Sequence, residues 1–180
     1  MKPGFAELFL GVLLVSATQA RSATLPDTCG NEKAIIDVTT HKDHPAPALP
    51  ESAKARVVFI EVADKNALPV ITRVGLDGAW VGANKGNSWF ESTVLPGEHH
   101  VCVDWQLAHR YLKDKAALEV FTAAAGKTHY FMVKVGWTQN VNPVQFTRYD
   151  GEMTLELSAV NEDEGKYMAQ NSNFSVAKPK

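Results

Sequence analysis

Turn chemistry recurs along this chain at a spacing that leaves little room for helices. From Ala55 onward, runs of β-branched and aromatic residues are interrupted about every eight to twelve residues by Gly, Pro, Asn or Asp turns. Arg56-Val57-Val58-Phe59-Ile60-Glu61-Val62 is apolar enough for a central strand. Ile71 to Leu76 and Ala79 to Ala83 flank Asp77-Gly78, a two-residue hairpin signal, because the turn needs positive φ at both positions. Asn84-Lys85-Gly86-Asn87 turns into Ser88 to Val94. Leu95-Pro96-Gly97-Glu98 follows, with Pro96 second and Gly97 third, as a tight turn requires. His99 to Leu107 is then a long strand with Val101, Val103 and Trp105 on one face. Further on, Ala117 to Ala123 and Thr128 to Trp137 read as a hairpin around Gly126, and Val144 to Tyr149 pairs with Met153 to Val160 across Asp150-Gly151. The expected fold class is all-β, a mostly antiparallel β-sandwich of about eight strands. One short C-terminal α-helix accompanies it, started by Asn161 with Glu164 three residues on and ending near Gln170.

Composition narrows the function classes. Hydrophobic residues make up 45% and charged residues 21%, which excludes a disordered chain. Eighteen Lys and Arg stand against 20 Asp and Glu, and no run of basic residues is present. Nucleic-acid binding and polybasic membrane anchoring are therefore not expected. No apolar stretch reaches the ~20 residues of a membrane-spanning helix.

The chain divides into four parts. Residues 1–20 have the layout of a secretory signal peptide: Lys2, an apolar run from Leu8 to Val15, and Thr18-Gln19-Ala20 before Arg21. The alternative is an N-terminal core helix. Residues 21–53 form an arm with Pro26, Pro45, Pro47 and Pro50, where only Ala34 to Val38 suits a strand. Residues 54–170 are the β-sandwich domain with its helix, and residues 171–180 read as a polar tail. Export to the periplasm or the extracellular space follows from the leader. In such a compartment Cys29 and Cys102, the only cysteines, are expected to form a disulfide. Cys102 lies opposite Val101, Val103 and Trp105, so it faces the outer side of its sheet if those three face the core. A returning arm then covers it; if a second sheet lies there instead, Cys102 is a buried thiol.

Arg73-Val74-Gly75-Leu76-Asp77-Gly78-Ala79-Trp80-Val81-Gly82, followed by Leu95-Pro96-Gly97-Glu98-His99-His100-Val101, resembles a bacterial envelope family known as domain of unknown function 2846. It is similar, more distantly, to PEGA-type modules. The resemblance spans roughly Ala55 to Val160. It implies an exported β-sandwich module with no established enzymatic activity. Its members are often lipoproteins, but Pro26-Asp27-Thr28 before Cys29 is not a lipid-attachment sequence.

Candidate chemistry is sparse. His100, Cys102 and Asp104 share a strand face and form a ligand trio only if Cys102 is a free thiol. No nucleophile elbow or phosphate loop is present. Neither catalysis nor a cofactor or metal is expected. Trp80 and Trp89 are the candidate binding aromatics, balanced between surface stacking and core packing. Asp77, Gly78, Pro96 and Gly97 are structural turn residues. The expected function is that of a secreted, non-catalytic module binding an envelope protein or a glycan. The alternatives are a structural accessory domain of an envelope assembly and a small hydrolase or metal protein. An exposed aromatic patch favours the first, an unpaired edge strand the second, and a polar cleft with a perturbed titratable group the third.

Overall fold

The computed structural model describes residues 29–106, 116–139 and 151–180. The leader 1–20 and the Val144 to Tyr149 strand expected from the sequence lie outside them. Ten strands and one helix follow in order: β1 Ile36–His41, β2 Ala55–Ala63, β3 Ile71–Leu76, β4 Ala79–Lys85, β5 Ser88–Val94, β6 Gly97–Trp105, β7 Ala116–Ala123, β8 Thr128–Gln139, β9 Gly151–Val160, α1 Glu162–Gln170 and β10 Asn173–Pro179. They build two sheets, one ordered β1-β10-β5-β2-β8-β9 and one ordered β4-β3-β6-β7. Among the described residues the fold is all-β with a single short helix near the C-terminal end.

The two sheets meet face to face over Val57, Phe59, Val74, Leu76, Phe90, Val101, Val103, Phe131 and Val133, all buried. These residues alternate along their strands, as a half-buried pleated sheet requires. Val101, Val103 and Trp105 do face inward together. The middle of the outer face of the six-stranded sheet is also buried. There Val58, Ile60, Trp89 and Tyr130 pack beneath Ala169 of α1 and Phe174 of β10. Gly165 and Ala169, one helical turn apart, let α1 approach closely. A Cβ on Gly165 would overlap the Tyr130 ring. Asn161 caps the helix by accepting the Glu164 amide at 2.9 Å.

Two expectations are corrected. The segment 171–180 is not a polar tail: β10 lies inside the larger sheet, antiparallel to β1 and parallel to β5. Asn173-Phe174-Ser175-Val176 alternates, but the buried polar side is Ser175, whose hydroxyl donates to the Ala83 carbonyl at 2.7 Å. Polarity there does not mean exposure. The arm 21–53 does form the strand expected near Ala34 to Val38: β1, held by β10 and at the edge of its sheet among the described residues. Finally, β7 and β8 are not a hairpin. β7 pairs with β6 in the smaller sheet, whereas β8 pairs with β2 and β9 in the larger. The Gly126 turn crosses between the sheets, and its residues instead bond to the start of β2, Gly126 donating to the Lys54 carbonyl at 2.8 Å. Turn residues bend the chain equally well within a sheet and between sheets.

Candidate functional site

The outer face of the four-stranded sheet gathers several of the residues singled out by sequence: Trp80, His100, Cys102 and Asp104, with Cys29 over them. Register places three outward rows across it. Arg73, Asp104 and Ala116 form one, and Gly75, Cys102 and Leu118 the next. In the third, His100 stands beside Val120.

The β3–β4 hairpin supplies the first part of this surface. Asp77 and Gly78 have φ of 49° and 87°, both positive, as a tight hairpin with right-handed strands demands. Register slips between Val74 and Gly75, so Trp80 sits opposite Gly75 while Gly82 sits opposite Val74. This bulge turns Trp80 away from the core and onto the face that carries Arg73. The Arg73 guanidinium lies 4.5 Å from the Trp80 ring centroid.

Residues 29–35 lie across these side chains. Cys29 is bridged to Cys102, with Cα atoms 4.9 Å apart. Gly75 is the floor beneath that bridge: a Cβ there would overlap the Cys29 carbonyl. The Trp80 indole N–H donates to the Asn31 carbonyl at 2.8 Å. Arg73 binds Asp104 through two parallel bonds of 2.8 and 2.5 Å and donates its remaining nitrogen to the Glu32 and Ala34 carbonyls. Arg73 and Asp104 are 4% and 5% exposed. Burial pushes the Asp104 carboxyl above its ordinary value, against the opposing pull of Arg73. Gln106 completes the attachment through both backbone groups of Ile36. Residues 29–35 are thus held by bonds to their backbone carbonyls and by one covalent link.

The candidate trio of His100, Cys102 and Asp104 does share this face. Cys102 is bonded to Cys29 and Asp104 to Arg73, which leaves His100 exposed with neither ligand available to it. The two binding aromatics separate. Trp80 is half-buried with its polar tip used by the arm. Trp89 is 1% exposed on the other sheet, edge-on to Phe174 and His44, and so has no face open for stacking.

At the end of the sandwich, the Asp77 side chain does more than turn the chain. It accepts the His100 amide at 2.9 Å and the His99 Nδ1–H at 2.6 Å. His99 Nε2 faces the Leu95 carbonyl at 2.8 Å, so both ring nitrogens meet acceptors and the imidazolium satisfies both. Burial lowers the His99 pKa, but the Asp77 carboxylate and the Leu95 carbonyl outweigh it and the net shift is upward. Burial acts to raise Asp77, and its bonds from His100 and His99 reverse this to a net lowering. Pro96-Gly97 joins β5 of one sheet to β6 of the other, with Gly97 at φ 143°.

Beyond the arm the surface changes character. Leu118 and Val120 on β7 are 50% and 53% exposed, next to exposed His100. Half-buried Glu119 faces the opposite way, towards the interior row of Leu76 and Val101. Among the described residues, β7 hydrogen-bonds to β6 alone and is the edge of its sheet. The expected hairpin of β7 with β8 gave no sign of this surface. Its signal was the placement of Leu118 and Val120 on the side opposite Phe121, which leaves apolar residues on both faces. Compared with family models, curated proteins and solved structures, the chain matches none, so the likeness to domain of unknown function 2846 rests on the turn motifs alone.

Proposed function

We propose that this chain is an exported, non-catalytic β-sandwich module of the accessory-domain kind, which assembles with a protein partner through the β6–β7 side of its smaller sheet. The observation that carries the reading is the pair Leu118 and Val120, half-exposed on an edge strand. Such an edge offers unpaired backbone groups for an added strand and aliphatic side chains for contact area. A protein segment fits this chemistry better than a glycan, because sugar rings stack on open aromatic faces and Trp80 and Trp89 are otherwise engaged. The disulfide supports an oxidising compartment. A non-catalytic role is supported by the state of the carboxylates: Asp104 is paired with Arg73, Asp77 with His99, and Glu61 is sealed between the sheets.

The test is co-purification of the mature protein from its own envelope fraction, run beside Leu118→Thr/Val120→Thr and Trp80→Ala variants. A partner retained by wild type and Trp80→Ala but lost by the β7 variant is the expected result. Retention by the β7 variant, or saturable binding to glycans abolished by Trp80→Ala, overturns the proposal.

A further inference from the structure

Glu61 continues the inward row of β2 after Val57 and Phe59, yet it is an acid and only 1% exposed. Its carboxyl spans the sandwich. One oxygen accepts the Thr72 hydroxyl of β3 at 2.5 Å, and the other accepts the Gly86 amide of the β4–β5 turn at 2.5 Å. The surroundings are polar but uncharged. Asn84 of β4 donates to the Phe59 carbonyl, and Ser88 of β5 joins Asn84 to the Lys85 amide. From β8 the residue in register is Val133, and from β6 Trp105 stands opposite Thr72. Lys85 is exposed at the end of β4, while Arg73 and Asp104 are paired on the outer face of the smaller sheet. Among the described residues, no cation pairs with Glu61. A buried carboxylate without a cation is strongly disfavoured, whereas the neutral acid can donate to the Thr72 oxygen and still accept from Gly86.

We propose that Glu61 is a proton-operated latch that closes the β4–β5 corner across the two sheets and loosens it when the proton leaves. The corner has wider connections. Asn87, adjacent to Gly86, accepts the Ala63 amide through its side chain and the Asn173 amide through its carbonyl. Loosening therefore reaches the end of β2 and the start of β10. Burial carries the Glu61 carboxyl from 4.5 up to about 7, against the lowering effect of the Thr72 and Gly86 bonds. The folded value lies above the unfolded one. The closed corner is therefore fully favoured below about 4.5, weakens as pH climbs, and stays weakened above about 7.

The experiment is an NMR titration of the full mature chain from about pH 5 to about pH 8. It follows the Glu61 carboxyl carbon and the hydrogen-exchange protection of the Gly86, Asn87 and Asn173 amides. Glu61 is expected to titrate near neutrality, with protection at the corner falling by up to about tenfold per pH unit below that midpoint. In Glu61→Gln, which cannot release a proton in this range, the protection profile becomes flat. A Glu61 midpoint at the ordinary carboxyl value overturns the latch, as does the same pH profile in Glu61→Gln. Should Glu61→Gln fail to fold, the wild-type carboxyl midpoint and corner protection decide between the two outcomes.

Discussion

The two sheets of this sandwich protect their outer faces by opposite means. The larger sheet is covered by α1, which brings Ala169 and Met168 against Val58, Ile60, Trp89 and Tyr130, while Phe174 of the sheet's own β10 packs beside them. The smaller sheet is covered by residues 29–35, which bring backbone carbonyls to Arg73 and Trp80 and one sulfur to Cys102. A cover with apolar side chains is held by water exclusion, at roughly 25 cal/mol per Å². A cover without them needs directed bonds, and each contributes only about 1 to 3 kcal/mol net, the upper end for the charged Arg73. This explains why the disulfide belongs to the second cover, where loop closure compensates for the missing apolar area. It also explains why the second cover stops short. Directed bonds reach only as far as Arg73, Trp80 and Gln106 provide partners, so Leu118 and Val120 remain outside it.

Breaking the covalent part should have the largest effect. Replacing both Cys29 and Cys102 by Ser removes a bridge with a sequence separation of 73. In the chain-entropy account this costs up to about 4 kcal/mol. Denaturant unfolding reads the loss, and hydrogen exchange should locate it first at residues 29–35 rather than in α1. Full protection of the Trp80 indole N–H in the double variant would show that the Arg73 clamp alone holds the arm.

A single added methyl group sharpens the comparison. Gly165→Ala places a Cβ against Tyr130 under the helix, and Gly75→Ala places one against Cys29 under the arm. Overpacking of this kind costs about 1 to 3 kcal/mol. At position 165 the loss should be global, offset in part by about 1 kcal/mol of helix propensity gained over Gly. At position 75 it should raise exchange in the arm while the sandwich core keeps its protection. Equal global losses at the two sites would mean that the arm folds as one unit with the core.

The smallest effect is expected where no cover lies. Leu118→Thr and Val120→Thr should each change stability by less than about 0.5 kcal/mol, since both side chains are already half in water. A loss of several kcal/mol in thermal unfolding would place these residues in a packed contact of the folded chain and remove them as a docking surface.

Much of this could be read from the residues themselves. Asp77-Gly78 identifies its own hairpin because few other residue pairs accept two positive φ angles. Asn161 identifies the helix start, because its side chain can take the Glu164 amide and that local bond needs no tertiary partner. The Val101, Val103 and Trp105 alternation identifies the inward face of β6 and therefore the outward face of Cys102. These are properties of a few neighbouring residues, and local backbone and pleat geometry decides them. The tertiary structure decided the rest. Whether the Gly126 turn folds β7 back onto β8 or carries the chain to the other sheet depends on which strands β6 and β2 recruit. Whether Trp80 or Trp89 meets solvent depends on a bulge in one case and on a strand 85 residues away in the other, since Trp89 stands opposite Phe174. Glu61 belongs with these. Its alternation says that it points inward, but only the meeting of two sheets closes it between Thr72 and Gly86 without a cation. Short-range sterics and hydrogen bonding are written into adjacent residues, whereas burial is a property of what the rest of the chain brings over them.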